Sequence, residues 1–235
     1  MKVSATYGEP DDAGDVFIKA NVTIDNKHDS AVEYALIAVV LLNEDGVAIG
    51  GTRYDDSDCY IEANESGSLE ISFWTNSTLA DDFSKVKAIV SITTHKLEFA
   101  KIGTLECPAI GEKVFLKDKV TIGDIAEVNG ITLFRKEDQD EGDADINIRT
   151  AVRNISDQHI HKMNVKFKLL DKKDNEITED YDEDAIGAQS AYFVDRSFWG
   201  VPSGKAKNAT CNVSASVAIS LESFSAETTP VFSED

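Results

Sequence analysis

The feature that most constrains this chain is an internal repeat. Asn26, Leu41, Leu42 and Ile49 recur as Asn154, Leu169, Leu170 and Ile177, all at a shift of 128. Val3 and Ala5 correspond to Ile131 and Leu133 at the same shift. Farther along, Ile61-Glu-Ala63 corresponds to Ile186-Gly-Ala188, and Ser72-Phe73-Trp74 to Ser197-Phe198-Trp199, now at a shift of 125. A register that holds over some 70 residues and changes once, by three, implies one short deletion in the loop near residues 50–60. The chain therefore reads as two copies of one domain of about 100 residues, an ordinary domain size. The expected boundaries are 1–107 for copy one, 108–119 for a linker and 120–235 for copy two.

Each copy carries the period of β structure. Ile18, Ala20, Val22 and Ile24 alternate with polar residues, as do Ile146, Ile148, Thr150 and Val152. Asn43-Glu-Asp-Gly46 and Asp171-Lys-Lys-Asp-Asn175 are turn clusters. Further strands are expected over 69–74, 86–92, 194–199 and 213–219, and one helical turn within 79–85. About seven short strands per copy, with turns every 8–12 residues, predict an all-β fold. It is expected to be two tandem immunoglobulin-like antiparallel β-sandwiches, lacking the Cys…Trp…Cys signature of antibody domains.

The strand ends Val22-Thr-Ile-Asp-Asn26 and Ala151-Val-Arg-Asn154 are followed by Leu41-Leu-Asn-Glu-Asp-Gly46 and Leu169-Leu-Asp171, then by the two Ser-Phe-Trp strands. In this order the chain resembles the FxLYD and LEA14-like group of bacterial fibronectin-like domains, over about 75 residues of each copy. The resemblance implies a sandwich fold and no shared catalytic residues. Many members of the group are exported.

Composition excludes several function classes. With 43 acidic and 23 basic side chains the formal charge is −20, divided almost evenly between the copies. Phosphate binding needs a basic footprint, so nucleic acid is not an expected partner. A hydrophobic content of 42 % is enough for a packed core. No apolar run is long enough to span a membrane as a helix. The start carries no apolar leader, so the chain reads as cytoplasmic, or as exported if a leader was removed. Cys59, Cys107 and Cys211 have no motif spacing and read as free thiols packed as small apolar groups.

One strand distinguishes the copies. In copy two, Met163, Val165, Phe167 and Leu169 are expected to face the core while Lys162, Asn164, Lys166 and Lys168 face water. In copy one the core set is Ala35, Ile37, Val39 and Leu41, and the opposite face (Tyr34, Leu36, Ala38, Val40 and Leu42) is apolar too. A strand apolar on both faces is normally covered on both. This row is thus the expected interaction surface, covered by the other copy, a second subunit or a foreign protein, unless the domain's own loops close it.

Other constellations suggest ligands. Asp11, Asp12 and Asp15, and in copy two Asp138, Asp140, Asp143 and Asp145, precede equivalent strands. Oxygen-rich loops of this kind suit calcium, though the spacing is not that of an EF-hand, and solvated acidic loops are the simpler reading. Acidic residues recur again around Tyr54 and Tyr181. His159 and His161 share a strand face but lack a third zinc ligand nearby. Trp74 and Trp199, at matching positions, would either close the core edge or stack on sugar rings. Six Asn-X-Ser/Thr sequons, at Asn21, Asn64, Asn76, Asn154, Asn208 and Asn212, read as composition. No nucleophile–base set or phosphate loop is legible. The function expected is a non-enzymatic protein–protein interaction or assembly module without a cofactor. The alternative is a calcium- or carbohydrate-binding sandwich.

Overall fold

The computed structural model describes residues 1–76, 82–137 and 142–232, and for 53–58, 137 and 232 the backbone alone. The chain is nearly all β, in mainly antiparallel sheets. It forms two compact units, Met1–Lys96 with Ser220–Asp235, and Leu97–Ile219.

In the first unit, one sheet contains β1 (Lys2–Tyr7), β2 (Asp15–Asp25) and β5 (Ser66–Asn76). They are joined at the edge by the short β14 (Val231–Phe232), which runs parallel to β1. The other sheet contains β3 (Val32–Leu42), β4 (Ala48–Ile61) and the first part of β6 (Lys87–Glu106). Val16, Ile18, Ala20, Val22 and Ile24 of β2 point inward, as do Ala35, Ile37, Val39 and Leu41 of β3, all nearly inaccessible. The strict alternation in β2 is what allows one sheet face to be dry and the other wet.

In the second unit, one sheet has the order β12-β9-β8-β7, formed by Ala191–Pro202, Asp143–Asn154, Ala126–Glu137 and Lys113–Ile122. The other contains β11 (Glu176–Ile186) and β10 (Ile160–Leu170), with parts of β13 (Thr210–Thr228) and β6. As expected, Met163, Val165, Phe167 and Leu169 of β10 are fully buried. The outward lysines pair across to the acidic edge strand β11: Lys162 with Glu183 at 3.5 Å, Lys166 with Glu179 at 2.8 Å and Lys168 with Glu176 at 2.6 Å. The Lys166 and Lys168 pairs are exposed and each contributes little to stability, while Lys162 and Glu183 are partly buried.

Two features depart from the expected boundaries. The segment 108–119 is not only a connection, because its Lys113–Leu116 stretch pairs with Ile131–Phe134 in a ladder. Also, β6 and β13 are long enough to serve both units. Ala88, Val90 and Ile92 lie in the first core and Ile102 and Leu105 in the second. Cys211, Val213, Ala215 and Val217 lie in the second core, while Leu221 and Phe224 pack against the first. The 3-10 turn Phe83–Lys85 falls inside the expected helical stretch, capped by Asp82; residues 79–81 lie outside the described residues.

Two buried asparagines hold equivalent corners. Asn26 Nδ2 donates to the carbonyls of Ser30, Ile61 and Glu62 at 2.9, 3.2 and 3.0 Å, and its Oδ1 accepts from the His28 amide. Asn154 Nδ2 donates to Gln158, Ile186 and Gly187 at 2.6, 3.1 and 3.1 Å, and its Oδ1 accepts from the Ser156 amide. A compact amide with two donors and an acceptor can satisfy backbone groups where three segments meet away from water.

Candidate functional site

The expected interaction row on β3 is only partly available. Tyr34 and Leu36 are buried, Tyr34 with its ring 5.2 Å from that of His95, its register partner on β6. Ala38 and Leu42 are half-buried, and Val40 alone is more than a third exposed, at 38 %. The apolar outward side chains at one end of the strand are thus already enclosed.

The acidic loops do not converge. Asp11 Oδ1 accepts from the amides of Ala13 and Asp15, both at 2.9 Å, so this carboxylate organises its own turn. Asp12 is exposed, and Asp15 accepts from the Asn76 side chain at 3.3 Å. Asp145 is buried, 3.6 Å from Lys136 Nζ, and Asp143 is half-buried. Asp138 and Asp140 lie outside the described residues. Among the described residues no three His, Cys, Asp or Glu side chains gather in a way that would hold a metal. His159 and His161 do meet edge-on, ring centroids 4.7 Å apart. Burial, and then the nearby charge of His159, holds the His161 imidazole below its ordinary value.

The tryptophans do not close the core edges; both point outward. Trp74 on β5 is 60 % exposed and lies directly across from Phe17 of β2, ring centroids 5.1 Å apart. Trp199 on β12 is 68 % exposed, with Lys136 Nζ 5.1 Å from its ring centroid. Alternation explains the placement. Phe198 faces the core of the second unit, so its neighbour must face away.

Around Trp199 the outer face of the β12-β9-β8-β7 sheet carries groups that the sequence reading did not single out. Register puts Arg149 beside Thr132 and Asp195, and Phe134 between Asn147 and Lys113. Lys113 Nζ stands 5.4 Å from the Phe134 ring centroid. Phe115 on β7 is 60 % exposed. A shallow concavity of about 280 Å³ is lined by Lys113, Thr132, Phe134, Lys136, Asn147 and Arg149. Arg149 Nε donates to Asp195 at 3.0 Å. The Asn147 amide nitrogen is covered yet has no hydrogen-bond partner among the described residues. These groups were hidden in the sequence because the residues come from four strands spread over 113–199, each with an unremarkable alternating pattern.

No family model and no curated protein matches the chain. Among solved structures it is similar to a protein from Archaeoglobus fulgidus, at 17 % identity over 40 % of this chain and 80 % of that one, with a TM-score of 0.28. It is also similar to red sea bream transglutaminase, at 9 % identity, covering 100 % of this chain and 31 % of the enzyme, TM-score 0.25. A third is a β-glucuronidase of glycoside hydrolase family 2, at 10 % identity, covering 97 % and 25 %, TM-score 0.26. Likeness this low carries no function to the present chain. Among the described residues no helix is long and apolar enough to cross a membrane.

Proposed function

We propose that this chain is a tandem of two immunoglobulin-like sandwiches, descended from one duplicated domain, that acts as a non-enzymatic binding module through exposed rings on an outer sheet face. The duplication is supported by paired local geometry. The Asn26 and Asn154 networks use partners at a shift of 128 and then 125. Asn43 Oδ1 accepts from the Asp45 and Val47 amides, and Asp171 Oδ1 from those of Lys173 and Asn175, again at 128. The resemblance to the FxLYD and LEA14-like group fits this reading.

The observation that carries the binding reading is the outward exposure of Trp199 and of Phe115 on one sheet face, with the half-buried Phe134 between them. Large aromatic faces left in water are costly on a protein with no use for them, and planar rings suit stacking against the apolar face of a sugar. A second reading, protein association through Val40, rests on that residue's exposure. Titration of purified protein with neutral and acidic oligosaccharides, followed by tryptophan fluorescence, separates the two. With Trp74→Phe as background, Trp199→Ala is expected to abolish the response in calorimetry while melting stays unchanged. If Val40→Lys changes the oligomeric state and no saccharide binds, association is the function and the sugar reading falls.

A further inference from the structure

From the same face we infer, resting on the ring-stacking reading above, that the ligand is an anionic saccharide chain bearing carboxylate or sulfate groups. The argument starts from charge. The chain as a whole is strongly acidic, yet Lys113, Lys136 and Arg149 line a single concavity on one sheet face, where Asp195 pairs with Arg149 and Asp145 stands 3.6 Å from Lys136, so three cations meet two carboxylates. At physiological salt, charges beyond about 8 Å are largely screened, so this local cluster and not the net charge decides what docks here.

The cations are interleaved with rings in a set order. Phe115 and Phe134 sit on adjacent strands two positions apart, which places their backbones roughly 8 Å from each other, and Trp199 lies two strands beyond Phe134, in the irregular stretch of β12 between Phe198 and Val201, on the order of 12 Å away. Lys113 stands over Phe134 and Lys136 over Trp199. A flexible lysine stem can leave the ring when an anion offers a stronger partner, which frees the ring for stacking; Lys113 would gain a counter-charge there, while Lys136 already stands 3.6 Å from Asp145. Arg149 uses Nε on Asp195 and keeps its terminal nitrogens for a further acceptor. The Asn147 amide nitrogen, buried and without a hydrogen-bond partner among the described residues, belongs to the same concavity and is a donor that an anion's oxygen would satisfy. Rings and cations spread across four strands of one sheet face match a linear polymer whose units each carry an apolar face and a negative group.

The test uses the full chain carrying Trp74→Phe, so that fluorescence reports Trp199 alone. The probes are tetragalacturonate, a neutral tetrasaccharide of equal length, a thymidine octanucleotide and a glutamate octapeptide. Expected is quenching by tetragalacturonate that weakens as salt rises and falls about tenfold or more in Lys113→Ala/Lys136→Ala, with little change for the neutral sugar. Circular dichroism melting checks that this double variant, altered only at exposed side chains, stays folded. Equal, salt-insensitive binding of both sugars overturns the anionic assignment and leaves ring stacking standing. Tighter binding of the oligonucleotide or the peptide overturns the saccharide class. No response to any sugar overturns both readings.

Discussion

Replacing Asn154 by Ala tests the reading of the asparagine corners most directly. The side chain is fully buried and makes four hydrogen bonds to backbone groups, those of Ser156, Gln158, Ile186 and Gly187. Alanine can replace none of them. The Ile186 carbonyl lies away from water and would be left bare, at about 1–3 kcal/mol. The other three partners are partly reachable by water and lose about 0.5–1.5 kcal/mol each. Because such losses do not simply add, we expect a total of about 3–5 kcal/mol. In urea unfolding this appears as a lower midpoint with an unchanged slope. Asn154→Asp sharpens the test. A carboxylate facing three carbonyl oxygens is disfavoured, so its pKa in the folded state rises above the unfolded value. The variant's stability is then full below the ordinary carboxylate range and is lost as pH rises through the raised value, so its deficit should shrink in acid. A loss below about 1 kcal/mol for Asn154→Ala, or an aspartate deficit that does not shrink in acid, would refute the reasoning.

Further outcomes follow from other local features. Asp174 holds φ at 62°, at the position where the first copy has Gly46 with φ at 77°, so Asp174→Gly is expected to raise stability by up to about 1 kcal/mol, measured by urea unfolding. Burial pushes the Cys107 thiol up to about 11 and that of Cys211 up to about 12. Both should therefore react slowly with a thiol reagent at pH 8 until the protein unfolds. Since these folded values exceed the unfolded one, their contribution is complete below about pH 8.5 and is lost as pH rises through the folded values, so melting temperature should fall in that alkaline window. Replacing both cysteines by Ala should flatten that fall.

Much of the local structure was legible in the chain. The two-residue alternation of 16–24 and 144–152 set which side chains enter each core, because a strand's side chains must point to opposite faces. The pairing of Asn26 with Asn154 was visible as a shift, although its job of joining carbonyls from three segments was not. Asn154 also begins a sequon, and its burial with the whole amide engaged explains why such a triplet is uninformative there.

What the sequence by itself determined, then, is the β character, the inward faces and the paired turns, all of which depend on neighbours a few residues apart. Tertiary structure decided the rest. Whether Tyr34 and Leu36 are enclosed while Val40 is not depends on what stands over each, and a periodic pattern carries no information about that. Strands β6 and β13 each serve two units because their apolar positions continue past the point where one core ends. The cation-and-ring face exists only because four strands lie about 5 Å apart in one register, bringing together residues far apart in the chain.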